Sequence, residues 1–69
     1  MKEIKFHKVL RELLKDNHLT QERFADAVQV SAGTVTGWLN KFSLPNVYTL
    51  VNIAAFFHVT TDYLLFGTN

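Results

Sequence analysis

Between Gln21 and Asn40 the chain reads QERFADAVQVSAGTVTGWLN, and this stretch restricts the available folds more than any other. Phe24, Ala25 and Val28 recur at helical spacing, and Val30 falls in a break. Ser31 is placed to cap a second helix, in which Val35, Trp38 and Leu39 repeat at i, i+3 and i+4. The pattern predicts two short amphipathic helices joined by a turn of about three residues. Ala25 is small, as a close crossing of two helix axes requires. With Phe24 and Val28 on one side and Val35 and Trp38 on the other, both apolar stripes can close on one core. Ala32, Gly33, Thr34, Thr36, Gly37 and Asn40 are left facing outward. That face is small and uncharged, so another surface can come close to it.

The rest of the chain supports the same kind of structure. From about Glu3 to Asp16, Phe6, Val9 or Leu10, Leu13 and Leu14 form an apolar stripe, with Lys5, Lys8, Glu12 and Lys15 on the wetter side. Those lysines can attract phosphate or simply form a solvated face whose charge Glu3, Glu12 and Asp16 dilute. Asn17 and His18 end this helix, and Leu19 turns inward. Thr20 is a good N-cap for the next helix, which begins at Gln21. A helix start carries unpaired N–H groups that can hold an anion, and Gln21 adds a side-chain donor. The third helix is expected from about Ala32 to Lys41. Its Gly33 and Gly37 cost roughly 1 kcal/mol each relative to alanine. Glycines four apart clear a strip of side chains, either for a DNA backbone and thymine methyl groups or for a second protein surface.

Residues 42–46 read as a loop, with Pro45 ahead of a fourth helix from Val47 to Phe57. Leu50, Ile53, Ala54 and Phe57 are its inward stripe, leaving Val47, Tyr48, Val51, Ala55 and Phe56 partly outside. Val59 is a further anchor, Thr60 caps a fifth helix from Thr61 to Phe66, and Gly67 ends it. Five helices without a strand pattern predict one all-α domain over residues 1–69. With no cysteine, disulfides and thiolate metal sites are excluded. A hydrophobic content of 48% with six Phe and one Trp supplies the packing a domain this small needs. The formal net charge is only +1, mild for a nucleic-acid binder. No signal peptide or membrane span is read, so the expected setting is the cytoplasm of a bacterial host cell.

The residues Leu19-Thr20-Gln21, Phe24-Ala25, Val30-Ser31, Thr34-Val35-Thr36, Trp38, Pro45, Thr49-Leu50, Ile53-Ala54, Val59-Thr60 and Asp62-Tyr63-Leu64 give the chain its resemblance to a known family. Together they resemble the Cro/repressor type of helix-turn-helix domain, the lambda-repressor-like fold of phage and bacterial regulators. The resemblance covers nearly the whole chain. It implies dimeric binding to a pseudo-palindromic operator on double-stranded DNA, with the third helix in the major groove of each half-site.

Several positions depart from the family pattern. Glycine is common there at the turns occupied here by His18, Gln29, Lys41 and His58, so a left-handed backbone is expected at some of them. An arginine and a glutamate that often pair across the family's core are replaced by Leu14 and Leu39, which are expected to touch. Exchanging both together avoids a buried unpaired charge costing about 3–5 kcal/mol. Where the family often reads bases with arginine, glutamine or serine, this chain has Ala32 and Gly33. Neither can make a bidentate contact worth roughly 1–3 kcal/mol of discrimination. The base-reading set is therefore expected to be Ala32, Gly33, Thr34, Thr36 and Gly37, with Gln21, Asn40, Lys41 and Ser43 on phosphates. Discrimination should be modest in each half-site and supplemented by dimer geometry or DNA shape.

Catalysis is not expected. His7, His18 and His58 are scattered without metal-ligand spacing, and the six carboxylates show no paired arrangement. No metal and no cofactor is called for. A surplus of apolar side chains does need a partner: Phe42, Leu44, Tyr48, Phe56, Tyr63, Leu65 and Phe66 are the expected homodimer interface, the other reading being that they extend the monomer core. Low charge and the lightened third helix also fit a protein-interaction module that acts by binding a partner repressor.

Overall fold

The computed structural model describes residues 3–68, so Met1, Lys2 and Asn69 of the expected domain lie outside it. Five helices follow in order: α1 Phe6–Asp16, α2 Gln21–Ala27, α3 Ala32–Asn40, α4 Val47–Phe57 and α5 Thr61–Phe66. Four of the five starts are set by a side chain that accepts a backbone N–H three residues on. Thr20, Ser31, Asn46 and Thr60 receive Arg23, Thr34, Thr49 and Tyr63 respectively.

α1 is the exception. It begins at Phe6 rather than near Glu3, and Lys5 precedes it without a side-chain cap. The Lys5 N–H instead donates to the Leu65 carbonyl at 2.6 Å. A tertiary hydrogen bond therefore draws residues 3–5 away from the helix that their periodicity would extend.

Three helix ends are closed in one way. The N–H groups of Leu19, Val30 and Val59 reach back five residues to the carbonyls of Leu14, Ala25 and Ala54. In each case the preceding residue is left-handed: His18 at φ 54°, Gln29 at 61° and His58 at 58°. This arrangement satisfies orphan carbonyls and turns an apolar residue back onto the core. Three of the four turn positions considered are thus left-handed, Lys41 is not, and the remaining described non-glycine residue of this kind is Phe42 at φ 59°. α3 ends at Asn40 with Lys41 as its C-cap, and the Ser43 N–H returns to the Gly37 carbonyl. The reversal consequently falls one residue later.

The core joins all five helices. Phe6, Leu10, Phe24, Val35, Ile53 and Leu64 are fully enclosed, with Val9, Leu14, Ala25, Val28, Trp38, Leu39 and Ala54 around them. Phe6 meets Trp38 edge-on at 5.9 Å, and Phe24 stacks on Phe57 at 5.5 Å. Leu14 and Leu39 sit in this same cluster, and no described polar or charged residue is buried. α1 packs on both α3 and α5, α2 on α3, and α4 on α5. None of the described helices is long and apolar enough to cross a membrane.

Candidate nucleic-acid interface

α3 packs into the core by one side. Val35, Trp38 and Leu39 are buried, whereas Ala32, Gly33, Thr34 and Asn40 are exposed and Thr36 and Gly37 are half-buried. The outer side carries no charged side chain from Ala32 to Asn40, so another surface can approach its backbone closely.

The two threonine hydroxyls are already engaged. Thr34 Oγ1 lies 2.8 Å from Ser31 Oγ, in the cap that starts the helix. Thr36 Oγ1 lies 3.0 Å from Gln21 Oε1 and 3.1 Å from the Ala32 carbonyl oxygen. The structure thus brings together Gln21, at the start of α2, and Thr36, in the middle of α3.

The two glycines differ in what they face. A Cβ on Gly33 would meet nothing nearer than Ser31 Oγ at 3.9 Å, an ordinary van der Waals contact without strain. One on Gly37 would come within 3.0 Å of Ser43 Oγ. A side chain at Gly37 would therefore press on the returning 41–46 loop and move the Ser43 hydroxyl by a few tenths of an ångström. Ser43, expected at a phosphate, is exposed beside it.

At the far end of α3, Arg11 extends from α1. It donates through Nη2 to the Leu39 carbonyl at 3.1 Å and to Asn40 Oδ1 at 3.3 Å. A cation at a helix C-terminus satisfies free carbonyls and complements the helix dipole. Sequence reasoning missed this residue. A signal was present: Arg11 precedes Leu14 by three residues and so shares the side of α1 that turns toward Leu39. Asn40 is consequently tethered, and exposed Lys41 adds a second positive charge close by.

The expected interface residues divide into two groups. Phe42, Leu44 and Tyr48 are exposed at 64%, 50% and 84%, and Val47 and Val51 join them. Phe42 also meets the His7 ring at 4.2 Å. Phe56 is 39% exposed farther along α4, against Phe24 and Phe57. Tyr63 and Leu65 are half-buried and pack on the core, and Phe66 is half-buried as well. The loop and the first turns of α4 therefore form the open apolar surface, and α5 contributes mainly to the monomer.

A helix-turn-helix family model matches residues 10–64, from within α1 to the end of the core in α5. The chain belongs to the Cro/repressor-type helix-turn-helix family. Among its helix-turn-helix relatives, the HTH-type transcriptional activator BcrR of Enterococcus faecalis is 36% identical over 64 residues, a match covering 93% of this chain and 31% of BcrR. The crystal structure of a transcriptional regulator from Listeria innocua has a TM-score of 0.87 at 25% identity, covering 97% of this chain and 62% of that one. The chain thus spans less than two thirds of the length of either relative. Helix-turn-helix regulators of this family are not enzymes, which agrees with the reading against catalysis.

Proposed function

We propose that the chain is a sequence-specific, DNA-binding transcription regulator of phage or bacterial Cro/repressor type, which binds an operator as a dimer with α3 in the major groove of each half-site. The observation that carries this reading is the outer side of α3. Ala32, Gly33, Thr34 and Asn40 are exposed on a helix without long or charged side chains, so base edges can come close to its backbone. The names of the two relatives, a transcriptional activator and a transcriptional regulator, support it.

Thr34 and Thr36 are the candidates for hydrogen bonds and methyl contacts at base edges. Ala32 and Gly33, with Gly37 beside the loop, allow the close approach. Gln21, Asn40, Lys41 and Ser43 are assigned to phosphates, and Arg11 holds Asn40 in place. Phe42, Leu44 and Tyr48 form the centre of the dimer contact, with Phe56, Tyr63, Leu65 and Phe66 contributing through their exposed edges. A symmetric homodimer covers such a patch twice with one set of residues. The bacterial cytoplasm is the setting this function requires.

The test is a salt titration of binding to random-sequence DNA and to an operator obtained by selection. Affinity that falls steeply with salt and a clear preference for the selected site are expected. Negligible DNA affinity beside tight binding of a protein partner overturns the reading. It would instead establish the interaction module, which the exposure of Phe42, Val47 and Tyr48 favours.

A further inference from the structure

The contact between α2 and α3 assigns a role that depends on the DNA-binding reading above. Thr36 Oγ1 has two acceptors in reach, Gln21 Oε1 at 3.0 Å and the Ala32 carbonyl at 3.1 Å, but its hydroxyl has one proton. The Ala32 carbonyl already faces the helical N–H of residue 36, so it does not depend on the hydroxyl. Gln21 Oε1 does, because two oxygens at 3.0 Å without a proton between them repel. We propose that Thr36 positions Gln21, holding the amide oxygen inward so that the amide N–H2 points outward as an oriented donor to a backbone phosphate. The reversed amide would present its oxygen to the phosphate, which is repulsive. The hydroxyl alone would accept that reversed amide too, taking an N–H at Oγ1 and giving its own proton to the Ala32 carbonyl, so the phosphate selects the inward oxygen and Thr36 anchors it.

A second property follows from the same proton. With its hydrogen committed to Gln21, Thr36 offers a base edge only a lone pair and a methyl group. It can accept from the exocyclic amino group of adenine or cytosine and touch a thymine methyl, but it cannot donate to guanine O6 or N7. Thr36 thus determines specificity as an acceptor while fixing a phosphate donor on the neighbouring helix.

The experiment measures binding of the chain to a short fluorescein-labelled duplex of mixed sequence, together with thermal melts of each variant. Thr36→Val removes the hydroxyl and keeps the shape. It should weaken binding roughly threefold to tenfold, the scale of one hydrogen bond, with little change in Tm. Thr36→Ser should restore affinity to within about twofold. Gln21→Ala should lose a similar amount, and adding Thr36→Val to it should cost nothing more on this duplex, which offers the Thr36 acceptor no selected base, because the pair acts as one unit at the phosphate. In the free chain the Gln21 side-chain N–H2 should exchange freely with water by NMR and become protected when the duplex is added.

Wild-type affinity in Thr36→Val, additive losses in the double variant, or a Gln21 amide already protected in the free chain would each overturn the assignment while the DNA reading stands. Absence of salt-sensitive binding by the wild-type chain overturns the DNA reading and this role for Gln21 together.

Discussion

The two sides of α3 obey different constraints. On the inner side Val35, Trp38 and Leu39 are 0%, 4% and 3% exposed, and available volume and polarity set the residue at each position. On the outer side Ala32, Gly33 and Thr34 are exposed, and at Gly33 the isolated fold leaves room for a side chain. A glycine costs roughly 1 kcal/mol relative to alanine in a helix interior and less in the first turn, where Gly33 stands. A side chain at Gly37 would press on the returning loop, but Gly33 has no such neighbour within the monomer. Local choices that work against the fold concentrate where a protein meets its partner. The contrast therefore locates stability on one side of a nine-residue helix and places the candidate function on the other.

The largest expected effect tests the inner side. Leu39→Glu restores the acidic residue common in the family without an arginine at position 14, placing in a closed core a charge that Arg11 can reach only by leaving the Leu39 carbonyl and Asn40. The loss should be about 3–5 kcal/mol, a large share of the stability of a small domain, measured by urea denaturation. Adding Leu14→Arg should recover part of it. A Leu39→Glu variant as stable as wild type would show that the cluster opens to water, and the inner side would lose its distinction.

Gly33→Ala tests the outer side. If nothing in the monomer requires glycine, the variant should gain about 0.5 kcal/mol, less than the helix-interior figure because Gly33 lies in the first turn of α3, equivalent to a Tm rise of roughly 2–4 °C for a domain of this size. DNA affinity should fall at the same time, since the new methyl stands where the duplex approaches. Gly37→Ala should gain less, because its Cβ would press on Ser43 Oγ at 3.0 Å. Equal gains at both positions would remove the difference between the two glycines.

Lys41→Gln has a smaller effect and a specific one. Loss of one phosphate contact should weaken binding to all sequences alike and flatten the dependence of log K on log salt by about one unit. An unchanged slope would remove Lys41 from the contact set and leave Arg11 as the cation at that end of α3.

How far the sequence disclosed this arrangement depends on the range of the interaction concerned. α4 and α5 follow the expected bounds because caps and stops are local: Thr60 begins α5 and Gly67, at φ 77°, ends it. The start of α1 was overextended because the Lys5–Leu65 hydrogen bond joins opposite ends of the chain. Among the four turn positions singled out, only Lys41 is not left-handed, because the Ser43–Gly37 bond sets the reversal at Phe42. Periodicity gave Ala32, Gly33, Thr34 and Asn40 as outward, but not the half-burial of Thr36 and Gly37, nor the Thr36–Gln21 and Arg11–Asn40 contacts. Those depend on how α1, α2 and α3 are rotated against one another, which no single periodic stripe specifies.

The smallest effect on stability, and the last test of the contrast, concerns the apolar surface beside α3. Tyr48 is 84% exposed and Val47 71%, so Tyr48→Ser and Val47→Ser each remove a side chain that contributes little to the monomer. Folding free energy should stay within about 0.5 kcal/mol of wild type for each. Self-association, followed by sedimentation equilibrium across a range of concentrations, should weaken clearly, and operator binding should lose its cooperative step while non-specific DNA binding persists. That outcome would show that the bare side of α3 and the apolar side of α4 act in sequence, one holding DNA and the other pairing two copies over it. Unchanged association would release the α4 surface from the dimer and make it available to a different protein partner.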